Sequence, residues 1–246
     1  MLPCQSFMGH RLRSTTSSAP ATAREPTALI AALAAAWPDA TCELDHQDAF
    51  QLLCATILAA QSTDKMINTL TPALFAKYPN ATALAAADPT ELEPMIFKSG
   101  FYRAKAKSII GMAKKVVEKH GGEIPKTMAE LVELPGIARK TANVVLGSVF
   151  QQNVGVIVDT HVTRVAARLG LTREEDPVKI EADLMALLPQ DQWTDFAHRV
   201  IWLGRRVCFA KQPDCNQCAL APICPSATPT VIKPAPKATS RGKVST

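Results

Sequence analysis

The sequence predicts an all-α protein, and three observations carry that expectation. Apolar residues recur at helical spacing in eight stretches, only one short segment has strand-like composition, and helix start and stop signals punctuate the chain. The stretches are 29–36, 50–60, 67–75, 109–117, 141–150, 161–169, 180–188 and 196–207. The strand-like segment, 154–158, has no partner strand in the sequence and reads as a buried extended connector.

Taken in order, 50–60 is the most apolar stretch. It is short and interrupted by Gln51 and Thr56, so it reads as a buried helix, and no run is long enough to span a bilayer. Asp88-Pro89-Thr90-Glu91 sets a capping carboxylate, a first-turn proline and an N3 glutamate in the order that opens a helix. The helix beginning near Tyr102 stops at Gly121-Gly122, and Thr127 with Glu130 repeats the capping box before a short helix. A Pro135-Gly136 turn leads into the next helix. Asp159 stands before the one that Gly170 ends, and Asp176-Pro177 opens another. No internal repeat is visible.

The 246 residues suffice for one large or two smaller units with a real core, and 47% hydrophobic content is ordinary for a soluble protein. The net charge of +5 belongs to the ends. Residues 1–24 carry +3 (Arg11, Arg13, Arg24) and residues 226–246 carry +4 (Lys233, Lys237, Arg241, Lys243), which leaves −2 for the body. A polyanion site on the folded part must therefore be a local patch. Both ends are polar, rich in Pro, Ser and Thr, and read as disordered basic tails. The N-terminus lacks the apolar core of a secretion signal. Its Ser, Thr and Arg content, with no acid before Glu25, accords equally with an organelle transit peptide and with a disordered bacterial extension. The expected location is cytoplasmic and nucleoid-associated for a bacterial chain, with organelle or nucleus left open.

Of seven cysteines, Cys4, Cys42 and Cys54 are scattered, whereas Cys208, Cys215, Cys218 and Cys224 crowd one stretch spaced C-x6-C-x2-C-x5-C. An odd total with one tight cluster is poor material for disulfides and reads as a metal site in a reducing compartment. Four thiolates so close suit either zinc or an iron–sulfur cluster. Zinc fingers favour two C-x2-C knuckles; one such pair in an uneven run points to the bulkier cluster. Arg205, Arg206 and Lys211 flank or interrupt the ligands, and Lys211 by itself reads as a solvated turn residue.

Residues 134–142 read Leu-Pro-Gly-Ile-Ala-Arg-Lys-Thr-Ala between two helices. Such a hairpin points the second helix's first N–H groups outward, ready to hold a phosphate with help from the helix dipole. Contacts of that kind position DNA without reading its sequence. Lys140 lies in the first turn, where the dipole and Arg139 favour the neutral, nucleophilic amine. From the hairpin alone, a lysine touching phosphate is the simpler reading. Asp159 reads first as an N-cap, and the same carboxylate can also deprotonate a lysine or stabilise a cationic sugar.

In these pieces, and in Ala60-Gln61-Ser62-Thr63-Asp64 and Gly100–Ala106, the chain resembles the endonuclease III family across roughly residues 27–225. The resemblance implies a two-domain helix-hairpin-helix DNA glycosylase fold. A six-helix domain (43–153) would pack on an N/C-terminal domain (25–42 plus 154–225) carrying a [4Fe–4S] cluster on the four cysteines. It implies double-stranded DNA with a damaged pyrimidine or abasic site as partner and flipped-out chemistry; a cleft-type enzyme on one duplex is expected to work as a monomer. Lys140 would attack C1′, expel an oxidised base and lead to β-elimination, with Asp159 as its activator. Gln61 and Phe101 would fill or wedge the gap, Gly136, Ala138 and Arg139 would hold phosphate, and Lys211 would do so from the cluster loop.

Two residues depart from the family pattern. Ala138 stands where a second hairpin glycine is usual, and a positive φ there would strain it by about 1 kcal/mol. Phe101 stands where leucine is more familiar. Rival readings are a mismatch adenine glycosylase, which typically lacks a lysine at position 140 and carries a further C-terminal domain, a non-catalytic iron–sulfur DNA-binding module, and a zinc-binding interaction protein.

Overall fold

In a computed structural model, which describes residues 26–228, eleven α-helices and four short 3-10 turns build one continuous apolar core. Among the described residues there is no strand, and no helix is long and apolar enough to cross a membrane. The tails expected at 1–24 and 226–246 lie outside the described residues, apart from 226–228.

The helices are α1 (Pro26–Ala36), α2 (Ala49–Ala59), α3 (Asp64–Lys77), α4 (Ala81–Ala85), α5 (Pro89–Ile96), α6 (Tyr102–His120), α7 (Met128–Leu131), α8 (Arg139–Ser148), α9 (Thr160–Leu169), α10 (Pro177–Leu187) and α11 (Trp193–Arg206). Side chains begin most of them. Asp48, Thr63, Asn80, Asp88, Thr127, Asp159 and Asp176 each accept a backbone N–H of the turn they open, offsetting the unpaired donors of a helix start. Left-handed glycines end α6 (Gly121) and α9 (Gly170).

Helix α2 is buried on nearly every side, by Leu52, Leu53, Cys54, Ala55, Ile57 and Leu58, because α3, α6 and α8 all pack on it. Helices α4 and α5 close over α6, while α11 gathers α1, α8 and α9. Two of these contacts need glycine. A Cβ on Gly147 of α8 would meet Thr194 Oγ1 at 2.2 Å, and one on Gly204 of α11 would meet the Cβ of His161 at 2.9 Å. The 154–158 segment is the extended connector that its composition predicts, with Val156, Ile157 and Val158 buried.

Candidate active site

Lys140 and Asp159 arrive from different helix starts and line the same open cleft of ≈ 550 Å³. Lys140 is in the first turn of α8. Asp159 is the N-cap of α9, its Oδ1 accepting the N–H groups of His161 and Val162, each at 2.8 Å. That bonding fixes the carboxylate where the buried connector ends. Gln61 lines the cleft too, with Asp64 and Arg205 beyond it.

The hairpin before α8 turns at Gly136, with φ +81, where an added Cβ would sit 3.1 Å from Ser108. Only glycine suits that position. Ala138 corrects the expectation of strain. It is the N-cap of α8 at φ −95, in ordinary extended backbone, and costs nothing there. It offers no side-chain cap, so the first N–H groups of α8 have no side-chain acceptor and stay open to an anion.

Gln61 and Phe101 are both non-glycine residues in left-handed backbone, at φ 56 and φ 47. Such conformations cost about 1 kcal/mol or more each and gather at functional sites. Phe101 is 70% exposed, an unusual position for so large an apolar group. The ammonium of Lys105 ties the two turns together. It is buried and donates to the carbonyl of Leu58, at the end of α2 before Gln61, at 2.8 Å, and to that of Ser99, before Phe101, at 2.6 Å.

Arg139 does not stand free beside Lys140. Its Nε donates to Glu181 of α10 at 2.7 Å. Lys211 is exposed on the loop between Cys208 and Cys215, away from the cleft. That loop hangs from α9. Arg168 donates to the carbonyls of Phe209 and Ala210, both at 2.7 Å, and to Cys208 Sγ at 3.2 Å, while Arg164 reaches the carbonyls of Cys208 and Gly204.

Cys208, Cys215, Cys218 and Cys224 line one small cavity. Burial, and the nearness of the other thiols, pushes the Cys218 and Cys224 thiols up. Among the described residues no group of three His, Cys, Asp or Glu side chains that could hold a metal ion stands ready. The four cysteines line a space instead, with a guanidinium N–H on Cys208 Sγ, and a set of four thiols around such a space fits an iron–sulfur cluster.

Several pairings lay beyond the sequence reading, which placed Arg205 and Arg206 only beside the cysteines. Arg205 joins α11 to Asp64 at 2.6 Å and also to Glu43, which Arg206 pairs as well. Burial alone would raise the Glu43 carboxyl, yet the two guanidinium groups outweigh it and hold it below its ordinary range. Arg164 and Arg168 had a legible signal, a basic i,i+4 pair on one helix face, and Glu181 had another, an acid between the apolar Ile180 and Leu184.

Comparison with known proteins agrees with this geometry. Residues 54–190, more than half of the chain, match the family described as "HhH-GPD superfamily base excision DNA repair protein". Fold and cleft thus define a base excision DNA repair glycosylase. The endonuclease III of Synechocystis sp. is 53% identical over 201 residues, 82% of this chain and 92% of that protein. Two solved structures superpose with TM-scores of 0.78. One is a non-covalent endonuclease III–DNA complex (39% identical, 82% of this chain and 94% of that one), the other a trapped endonuclease III–DNA covalent intermediate (38% identical, 84% and 98%). The chain belongs to the endonuclease III family.

Proposed function

We propose that the chain is a bifunctional DNA glycosylase and abasic-site lyase that removes oxidised pyrimidines of the thymine glycol type from duplex DNA. One observation carries the reading: a first-turn lysine and a helix-capping aspartate from separate elements share one cleft with Gln61.

Asp159 accepts a proton from Lys140, and the neutral Nζ attacks C1′ of the flipped nucleotide while the C1′–N bond breaks and the base departs with its electron pair. The bound nitrogen sheds a proton, its lone pair forms C1′=N as the C1′–O4′ bond opens and O4′ takes that proton up, and the resulting iminium acidifies C2′. Loss of that proton forms C2′=C3′ and breaks the C3′–O bond, so that the downstream strand leaves with a 5′-phosphate, and water then frees the lysine from the unsaturated aldehyde. The open N–H groups of α8, with Gly136, Ala138 and Arg139, grip a backbone phosphate. Gln61 and Phe101 occupy the gap in the stack, and Lys211 adds a phosphate contact from the cluster loop.

A [4Fe–4S] cluster on Cys208, Cys215, Cys218 and Cys224 supplies cross-linking, since the segment has little core of its own. The cleft draws its lining from both parts of the proposed division, 43–153 and 25–42 plus 154–225, as a cleft between two such units would. One cleft acting on one duplex needs no second copy, so the enzyme works as a monomer.

Borohydride trapping on duplex DNA containing thymine glycol, with Lys140→Gln alongside, tests the proposal. A covalent complex with the parent and none with the variant is the expected result. No complex from a cluster-loaded parent, on thymine glycol or on an abasic site, overturns it.

A further inference from the structure

We infer that Glu181 is a positioning residue that holds the lysine-bearing helix and the aspartate-bearing connector in register. It acts through Arg139 and Asn143 and touches no reacting atom. The inference rests on the proposed roles of Lys140 and Asp159.

Glu181 lies on α10, and its side chain is only 8% exposed. Charge is rarely left in such a place unless each oxygen is satisfied. Both are. Oε2 accepts Arg139 Nε at 2.7 Å, and Oε1 accepts Asn143 Nδ2 at 2.9 Å. Arg139 and Asn143 are one turn apart on α8 and bracket Lys140, so the carboxylate grips the helix on both sides of the nucleophile. Asn143 Nδ2 also reaches the carbonyl of Val156 at 3.3 Å, within the connector that runs on to Asp159. The backbone makes room for this contact. A Cβ on Gly155 would lie 2.1 Å from Glu181 Oε1 and 2.8 Å from both polar atoms of the Asn143 amide.

Three elements thus meet on one buried carboxylate: α8 with Lys140, the connector with Asp159, and α10. A displacement near 1 Å between reacting groups can cost about 10²-fold in rate. The second consequence is electrostatic. Arg139 is 44% exposed, and Glu181 offsets its charge on the face where α8 would meet phosphate. The carboxylate therefore favours rate through geometry and opposes affinity through charge, a combination that a purely structural residue would not produce.

The test uses cluster-loaded parent, Glu181→Gln, Glu181→Asp and Lys140→Gln. It reads single-turnover rates at saturating enzyme on thymine glycol and on a preformed abasic site, with affinity for a duplex carrying a non-cleavable abasic analogue across a salt series. In Glu181→Gln the saturated rate should fall about tenfold or more. Affinity should hold or tighten, with the salt slope steeper by about one because Arg139 is unmasked. Glu181→Asp keeps the charge but loses the reach, so it should restore the salt slope and leave the rate low. If Glu181→Gln does not fold, Asn143→Ala removes the tie to the connector and leaves the Arg139–Glu181 pair in place. That variant should show the lowered rate with no steeper salt slope, because Arg139 stays masked.

A Glu181→Gln rate within twofold of an active parent, or rate and affinity lost in the same proportion, overturns the inference and leaves the proposed function standing. An Asn143→Ala variant that folds with a rate within twofold of the parent also overturns it. A parent inert on both substrates overturns the proposed function and this inference together.

Discussion

Single residues here often carry two duties, and substitutions can separate them. Asp159 caps α9 through two N–H bonds and, in the proposed mechanism, accepts the proton of Lys140. Asp159→Ala should cost about 1 kcal/mol of stability from the lost cap together with the chemistry. Asp159→Ser keeps a capping oxygen without the charge. Its melting temperature should stay near that of the parent, and trapping should still be lost. Melts and borohydride trapping on the same preparations distinguish the two duties. Ala138 illustrates the limit of reasoning from a pattern. Its conformation depends on where the hairpin turns, and the turn is made at Gly136, so the methyl group meets no steric objection.

At the scale of elements, a tie between two turns accounts for the lysine in Gly100–Ala106. Lys105 bridges the end of α2 to the turn before α6, so the strained Gln61 and Phe101 are held by one ammonium. Lys105→Met keeps the length and leaves two buried carbonyls without this partner. The expected cost is about 1–3 kcal/mol, with Tm falling by about 2–4 °C for each kcal/mol. Affinity for an abasic-analogue duplex should fall several-fold as the turns loosen, which calorimetry and fluorescence anisotropy measure directly. Helix starts, stops and the apolar stripe of each helix were legible in the chain because those signals are local: a capping side chain lies two or three residues from the N–H it accepts. The extended segment at 154–158 was legible for the same reason. The partners of Lys105 were not, since Leu58 is 47 residues away.

Across the whole molecule, α9 and α11 connect the cleft to the cysteine loop. Asp159 begins α9, and Arg164 and Arg168 on that helix hold the loop carbonyls. Arg205, near the end of α11, reaches Asp64 at the start of α3. Between these helices and α8 sits His198, whose Nε2 lies 3.1 Å from Ser148 Oγ. Burial lowers its pKa to about 4, outweighing Asp195, which acts in the opposite sense. The unfolded chain therefore binds the extra proton between pH 6.5 and 4. Stability from this group is complete above the ordinary value and is lost as pH falls toward the folded one, by up to about 3 kcal/mol. His198→Gln should flatten that dependence in thermal melts, and a parent whose Tm is unchanged across the window would contradict it.

The sequence alone determined the helical class, the hairpin, the lysine and aspartate candidates, and the four-cysteine spacing. These follow from periodicity, capping and ligand spacing, which are properties of neighbours along the chain. Tertiary structure decided the rest: that Lys140 and Asp159 face one cleft, that Ala138 is unstrained, and that Arg139 is held by Glu181. The physical reason is range. An acid among apolar neighbours marks Glu181 locally, but its pairing with a guanidinium 42 residues away leaves no trace in the pattern, and only the packing of α10 against the hairpin helix and the glycine connector brings the two together.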